Sequence, residues 1–196
     1  MNPTLTLEHT VYAKKQFPDL DTVQIPLAGR SNVGKSSLIN CLAGRSNKLA
    51  KISSTPGKTR SINYYRVTPG DFHLVDLPGY GYARCSKAER QQWAQLIEHY
   101  LTNTPSISTI IILLDSRHTP QKIDLELTTF ATNIGLTILP VLTKADKCKQ
   151  KDHADRKKEW KALLPTALPP ILFSSKTKQG RDPLWQAIYK TITDKG

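Results

Sequence analysis

The chain has 196 residues, of which 22% are charged, and it carries a net charge of +12. This length and composition are typical of one globular domain, which we expect to span residues 1–196. The three cysteines are too scattered to form a disulfide framework. No apolar run approaches the roughly 20 residues of a membrane span, and the first ten residues do not resemble a signal peptide, so we expect a cytoplasmic protein without a membrane partner.

Residues 1–22 are weakly patterned and are predicted to form an N-terminal arm or an edge segment. Beyond them, short apolar runs alternate with stretches of helical periodicity, which predicts an α/β domain with a mostly parallel six-stranded sheet flanked by helices. We expect the strands at residues 23–28, 62–67, 72–76, 110–114, 137–142 and 170–173. Pro26 and Pro140 fall inside two of them, although proline is disfavoured in central strands because it cannot donate to the ladder.

Local signals predict several helix ends. Gly44 should end the first helix, and the run from Ser86 to Glu89 is a capping box that announces another. Asp182-Pro183 should cap the last helix. A further helix is predicted to begin at Thr119-Pro120, and its apolar face should consist of Ile123, Leu127, Phe130, Ala131 and Ile134.

The most informative motif is a G-x-x-x-x-G-K-S run, which is the phosphate-binding loop of nucleotide triphosphatases when it follows a strand and opens a helix. Backbone N–H groups and the helix N-terminus form a cradle for anionic oxygens there, and the glycines let the backbone approach them. Lys35 would reach the β- and γ-phosphates, and the Ser36 hydroxyl would ligate Mg²⁺. The run and the residue after it are Gly29, Arg30, Ser31, Asn32, Val33, Gly34, Lys35, Ser36 and Ser37.

A second segment, Asp76-Leu77-Pro78-Gly79, follows a predicted strand. In parallel sheets, ligands bind outside the carboxyl ends of the strands, so this segment is expected beside the phosphate loop. The Asp76 carboxylate can hold the Mg²⁺ shell through water, and the Gly79 N–H can meet the γ-phosphate.

A third segment, Thr143-Lys144-Ala145-Asp146, predicts base recognition. The Asp146 carboxylate can accept hydrogen bonds from the N1–H and the N2 amine of guanine, and adenine lacks both donors on that edge. The Lys144 stem would lie along the base. Backbone N–H groups of Ser174 and Ser175, after Phe173, can meet the guanine O6. A P-loop ATPase or kinase is the alternative, and Asp146 argues against it.

With these motifs in this order, the chain resembles the Era-like, translation-factor-type GTPases. The run from Ala28 to Ser37, and the run Asp76-Leu77-Pro78-Gly79-Tyr80-Gly81-Tyr82-Ala83, resemble in particular the EngB (YihA/YsxC) family. The resemblance covers residues 20 to 192. It implies a small-GTPase fold with a P-loop, GTP hydrolysis, a role in large ribosomal subunit assembly, and a link to cell division and septation. The alternative is a septation factor that acts mainly through protein contacts.

The resemblance also implies roles for single residues. Ser36 and Thr59 would be direct Mg²⁺ ligands, with Thr55 as a competitor of Thr59, and Lys35 and Thr59 would be catalytic. Tyr80 stands where many GTPases have a water-orienting glutamine, so hydrolysis should be slow without a partner or an ion. Further residues implied to contact the nucleotide are Gly57, Lys58, Arg60 and Ser61. Thr143 stands where many GTPases have asparagine.

Asn32 has two interpretations. In related potassium-activated GTPases, an asparagine at this place offers its carbonyl oxygen to K⁺, which can stabilise charge at the phosphates. The alternative is that Asn32 only bonds its own backbone to hold the turn.

The expected partners are GTP and GDP, together with ribosomal RNA or ribosomal precursor particles. Seven basic residues between 147 and 161 could form an RNA-facing surface or only a solvated helix, and the family resemblance favours RNA. They are Lys147, Lys149, Lys151, Arg156, Lys157, Lys158 and Lys161. We expect the protein to be a monomer.

Overall fold

A computed structural model describes residues 3–44, 49–50, 61–80 and 87–193, except the side chains of residues 87–90 and 93. The strands are β1 (Thr4–Val11), β2 (Gln24–Gly29), β3 (Ile62–Thr68), β4 (Phe72–Asp76), β5 (Thr109–Asp115), β6 (Thr137–Thr143) and β7 (Ile171–Leu172). The helices are α1 (Lys35–Ala43), α2 (Lys87–Asn103), α3 (Lys122–Asn133), α4 (Gln150–Leu163) and α5 (Arg181–Thr193).

The strands form one sheet in the order β1-β3-β4-β2-β5-β6-β7. Strand β3 is antiparallel to both of its neighbours, and the strands from β4 to β7 in this order run parallel. The predicted α/β fold with a mostly parallel sheet is therefore confirmed. The predicted count of six strands was wrong, because residues 4–11 add a seventh strand at the edge beside β3.

An irregularity in β1 explains why its sequence pattern is weak. Its register with β3 shifts between Leu7 and His9. Leu5 is buried on one face of the sheet and Val11 on the other, although residues six apart in a regular strand share a face. The shift exchanges the two faces within the strand, so no single alternation runs through it.

Pro26 and Pro140 lie inside strands at points where a missing N–H is tolerated. Successive residues in a strand direct their backbone groups to opposite neighbours. The Leu27 carbonyl accepts a hydrogen bond from the segment after β4, so the backbone groups of Pro26 face β5. The ladder between β2 and β5 begins only at Leu27. The Ile138 carbonyl accepts a hydrogen bond from the β7 side, so Pro140 faces β7, whose ladder with β6 begins only at Val141. Each proline therefore lies just before a ladder starts.

Helices cover both faces of the sheet, and the strands alternate their apolar side chains between them. Ile111 and Leu113 of β5 pack in the layer with α1 and α5, whereas Ile110, Ile112 and Leu114 pack in the layer with α2, α3 and α4. A continuous apolar run in β5 is thus the consequence of burial on both faces. No helix in the described part of the chain is long and apolar enough to cross a membrane.

The predicted inner face of α3 is right for most of its residues but incomplete. Ala131 is buried, and Leu127, Phe130 and Ile134 pack half-buried against the same core. The helix also buries Asp124 and Thr128, which were not predicted. The face toward the sheet therefore carries polar groups, which apolar periodicity alone does not detect.

Of two predicted helix ends, one agrees with the structure and the other does not. Gly44 ends α1 with φ 63°, as predicted. The prediction that Asp182-Pro183 caps α5 was wrong, because α5 begins at Arg181 and both residues lie in its first turn. Proline is tolerated there because backbone N–H groups in the first turn of a helix have no helical partner, so the N–H that proline lacks is not missed.

Candidate nucleotide-binding site

The phosphate loop has the structural context that its motif requires. It follows β2 directly, and α1 begins at Lys35. Asn32 and Gly34 have left-handed backbone conformations, with φ 63° and 112°. Gly29 has no room for a side chain, because a Cβ there would lie 2.8 Å from the Val33 side chain. The loop thus depends on its glycines for both close packing and its turn.

Lys35 and Asp76 form a buried ion pair across the site. The Lys35 ammonium donates to the Asp76 carboxylate, and both side chains are almost inaccessible. Burial raises the pKa of Asp76, and the neighbouring Lys35 charge opposes that rise. The pair therefore places a cation at the start of α1 beside a carboxylate at the end of β4.

The segment after Asp76 lies against the phosphate loop. The Ser31 N–H donates to the Tyr80 carbonyl over 2.9 Å, and the Tyr80 N–H donates to the Gly29 carbonyl over 3.3 Å. A Cβ on Gly79 would lie 3.2–3.3 Å from Ser31 atoms, so any other residue there would push the phosphate loop away by a few tenths of an ångström. Leu77 and Pro78, in the same segment, are buried.

The Tyr80 side chain points to α3. Its hydroxyl donates to a carboxylate oxygen of Asp124 over 2.8 Å. Burial raises the pKa of both groups, and for Tyr80 the Asp124 charge raises it further. Tyr80 is thus anchored to a helix, in the sequence position where many GTPases have glutamine. Asp124 was missed at the sequence level, since no motif marks it.

Thr143 ties the base-recognition segment to the phosphate loop. Its hydroxyl lies 2.7 Å from the Val33 carbonyl and 3.1 Å from the Leu114 carbonyl, and its single proton is shared between them. The side chain is buried. A threonine therefore makes a direct contact between the two segments at the place where asparagine is common.

Lys144 and Asp115 form a second tie. The Lys144 ammonium donates to the Asn32 carbonyl over 2.7 Å and to an Asp115 carboxylate oxygen over 2.8 Å. Arg117 donates to both oxygens of Asp115 through its guanidinium. Burial raises the pKa of Asp115, but the hydrogen bonds from Arg117 and Lys144 outweigh it and hold the pKa well below its usual range.

The role of Asp115 was missed at the sequence level. Its signal was an aspartate that closes an apolar strand, without the Leu-Pro-Gly run that singled out Asp76.

The remaining base-recognition residues also converge. The Ala145 N–H donates to the Phe173 carbonyl over 3.1 Å, and the Ser174 hydroxyl donates to an Asp146 carboxylate oxygen over 2.7 Å. Ser174 is fully buried, whereas Asp146 and Ser175 are exposed. The loop after β7 thus orients the carboxylate that was predicted to read the base.

The oxygen donors predicted for Mg²⁺ fit a hard cation as far as they are described. Ser36 lies in the first turn of α1, next to Lys35, whose ammonium contacts the Asp76 carboxylate. Hydroxyl and carboxylate oxygens are ligands that Mg²⁺ prefers. The third predicted ligand, Thr59, lies outside the described residues, as do Thr55, Gly57, Lys58 and Arg60.

The remaining predicted residues are placed as follows. Ser61 is buried, and its hydroxyl lies 3.3 Å from the Asn63 side chain. Arg30 and Ser37 are half-buried, and the Asn32 side chain is exposed. Within the part of the chain that the structure describes, no group is hydrogen-bonded to the Asn32 side chain, so the structure shows no backbone bond of the kind expected from a purely turn-holding residue.

All of these segments lie at the carboxyl ends of the parallel strands. Gly29 ends β2, Asp76 ends β4, Asp115 ends β5, Thr143 ends β6, and Phe173 follows β7. A phosphate loop, a D-x-P-G segment and a T-K-x-D segment at one edge of such a sheet define the P-loop domain of a GTP-binding protein.

Comparisons with known proteins agree with this class. The sequence model of a family described as "50S ribosome-binding GTPase" matches residues 24–144. A relative from Oleidesulfovibrio alaskensis, named "Probable GTP-binding protein EngB", is 59% identical over 97% of this chain and 86% of its own length. The chain belongs to the EngB family of GTP-binding proteins, among the 50S ribosome-binding GTPases.

Two solved structures share the fold. A crystal structure of a probable GTP-binding protein engB has a TM-score of 0.73 at 23% identity, with 88% of this chain and 100% of that chain covered. The structure of Era with MgGDPNP and nucleotides 1506–1542 of 16S ribosomal RNA has a TM-score of 0.71 at 21% identity, with 88% of this chain and 57% of that chain covered.

Proposed function

We propose that this chain binds GTP and GDP with Mg²⁺, hydrolyses GTP slowly, and acts as a nucleotide-gated switch in assembly of the large ribosomal subunit. This role is linked to normal cell division and septation. The observation that carries the nucleotide part is the direct contact between the phosphate loop and the base-recognition segment, through the Thr143 hydroxyl and the Val33 carbonyl. One ligand that has both phosphates and a base would contact both segments at once.

Guanine is the base that the chemistry of the recognition segment favours. Ser174 uses one hydrogen bond to orient the Asp146 carboxylate and leaves acceptor capacity on it for N1–H and N2–H donors. Adenine offers no such pair of donors, so the carboxylate would lose its partners. Sites built on such hydrogen bonds discriminate strongly against analogues that lack them.

The residues at the phosphates suit binding and charge stabilisation. Lys35 would exchange its contact with Asp76 for phosphate oxygens, and Ser36, with Asp76 through water and Thr59, would hold Mg²⁺. The ion, when bound, neutralises charge on the phosphate oxygens. Tyr80 has no amide to orient water, and its hydroxyl is engaged by Asp124. Slow unaided hydrolysis follows from this arrangement.

Charge and family support the ribosomal part. The family model is described as 50S ribosome-binding, and the chain carries a net charge of +12. Several lysines are exposed on and beside α4, and Era, a structural neighbour, was solved with a ribosomal RNA fragment. We define the α4 surface as Lys147, Lys149, Lys151, Lys157, Lys158 and Lys161, and propose that it contacts RNA phosphates.

Co-sedimentation with purified large ribosomal subunits tests the switch. The chain loaded with a non-hydrolysable GTP analogue should be retained, and the chain loaded with GDP should be released. Equal retention with the two nucleotides would contradict a nucleotide-gated switch. Phosphate release from GTP, measured with Mg²⁺ and with a chelator in excess, tests the hydrolytic part, and an Mg²⁺-independent rate would contradict it.

Salt dependence tests the α4 surface. Replacing Lys157 and Lys158 by alanine should weaken retention and reduce the slope of log affinity against log salt by about 1.4–1.8, since each lost phosphate contact removes about 0.7–0.9. The matched control replaces Lys14 and Lys15, which are exposed near the opposite sheet edge and carry the same charge. If both double variants bind alike, the α4 surface is not the contact.

A further inference from the structure

Asp115 lies between two cations at the end of β5, outside the motifs that define the nucleotide site. Its carboxylate accepts hydrogen bonds from the Lys144 ammonium at 2.8 Å, from the Arg117 guanidinium at 2.8 and 2.9 Å, and from the Arg117 N–H at 3.1 Å. Only 12% of the side chain is exposed. Four donors in this geometry fix the position of the carboxylate.

The Lys144 ammonium bridges two segments from its place on Asp115. It donates at the same time to the Asn32 carbonyl of the phosphate loop. Lys144 and Asn32 both have left-handed backbone conformations, at φ 57° and 63°. Such conformations are unfavourable for residues with side chains and persist where surrounding contacts hold them. The ammonium contact joins these two residues directly.

We propose that Asp115 is a positioning residue for nucleotide binding. It holds the Lys144 ammonium on the Asn32 carbonyl and thereby ties the base-recognition segment to the phosphate loop, while Arg117 holds the carboxylate in place. This inference rests on the proposed function, because it deepens the role of the same site.

A neutral amide at this position breaks the arrangement with little change in shape. In Asp115→Asn, one neutral amide oxygen remains as an acceptor, so Lys144 loses its ionic partner and Arg117 loses its bidentate acceptor. Charge-assisted hydrogen bonds are roughly twice as strong as neutral ones. The nucleotide should therefore dissociate about tenfold faster or more from this variant.

The measurement is the dissociation rate of GDP that carries a fluorescent group on its ribose, chased with excess GDP. Asp155→Asn is the matched control, because it makes the same charge change at an exposed position of α4 and should leave the rate unchanged. A native rate in Asp115→Asn would overturn the proposal. If the native chain binds no guanine nucleotide, the proposed function itself fails, which separates the two outcomes.

A double-mutant cycle shows whether Asp115 acts through Lys144. Lys144→Met keeps the apolar stem but removes the ammonium, and in that background Asp115→Asn should change the rate less than about twofold. An equal factor in both backgrounds would show a general structural effect and overturn the proposal.

If Asp115→Asn does not fold, Arg117→Ala, at a side chain 44% exposed, takes its place in the same cycle. It should speed dissociation only when Lys144 is present, and a native rate or equal factors would overturn the proposal.

Discussion

Replacing Thr143 by valine tests the contact between the phosphate loop and the base-recognition segment. Valine keeps the shape of the side chain but removes its hydroxyl, whose proton is shared between the Val33 and Leu114 carbonyls at 2.7 and 3.1 Å. A shared proton counts as about one hydrogen bond, and loss of a buried donor leaves its acceptor unsatisfied, at a cost of about 1–3 kcal/mol. We take about 2 kcal/mol, which lowers Tm by about 4–8 °C for a chain of this size.

Nucleotide affinity should fall in the same variant. If the bound nucleotide has to restore the position of the Val33 carbonyl, a cost of about 2 kcal/mol weakens GDP binding by up to about 30-fold. Calorimetric titration with GDP and thermal unfolding monitored by circular dichroism measure the two effects.

Thr143→Ser separates the hydroxyl from the methyl group. Serine keeps the donor and loses only a buried methyl, so it should lose up to about 1.5 kcal/mol of stability and still bind GDP like the native chain. The reasoning is refuted if the valine variant binds GDP as tightly as the serine variant.

Four further predictions concern the same site. Asp146→Asn should lose GTP affinity and gain affinity for xanthosine triphosphate, whose oxygen in place of the N2 amine can meet an amide donor; competition binding measures both, and unchanged GTP binding contradicts the guanine assignment. If Asn32 offers its carbonyl to K⁺, turnover should be faster in K⁺ than in Na⁺ at equal ionic strength, and Asn32→Ala should abolish the difference; equal native rates leave only a structural role. Tyr80→Phe leaves the buried Asp124 carboxylate of α3 without its donor, so the free energy of unfolding, measured in urea, should fall by about 1–3 kcal/mol. The control Tyr12→Phe, at an exposed position, should leave it unchanged. Because the pKa of Asp115 is lowered in the folded chain, its carboxylate stabilises the fold at pH values above the ordinary aspartate pKa of about 4, and this stabilisation is lost as the pH falls through the lowered pKa. The free energy of unfolding should therefore decline less steeply with acid in Asp115→Asn than in the native chain, and an identical decline contradicts this.

Much of the architecture could be predicted from local pattern. The six strands expected from apolar runs and turns are present, and the phosphate loop lies between a strand and a helix, as its motif requires. Gly44 ends α1 because glycine readily adopts the left-handed backbone conformation found there. These features depend on neighbours a few residues apart, which is the range over which a sequence pattern carries information.

Strand β1 could not be assigned with the same ease. Its partner β3 lies more than 50 residues away, and the register shift between Leu7 and His9 removes the alternation that would reveal a strand. The buried Asp124 of α3 was not predicted, because its hydrogen-bond partner, the Tyr80 hydroxyl, lies 44 residues earlier in the chain. A polar residue is buried where it finds a partner, and the periodicity of apolar residues does not report that partner.

The sequence by itself determined the class of this protein, its family and the segments that form the candidate site, because each motif is a short run whose residue types and order are sufficient to identify it. The tertiary structure alone decided how the segments are held together: Thr143 on the Val33 carbonyl, and Asp115 on Lys144. The physical reason is that hydrogen bonds between residues 29 to 110 positions apart exist only after the sheet has brought the strand ends to one edge.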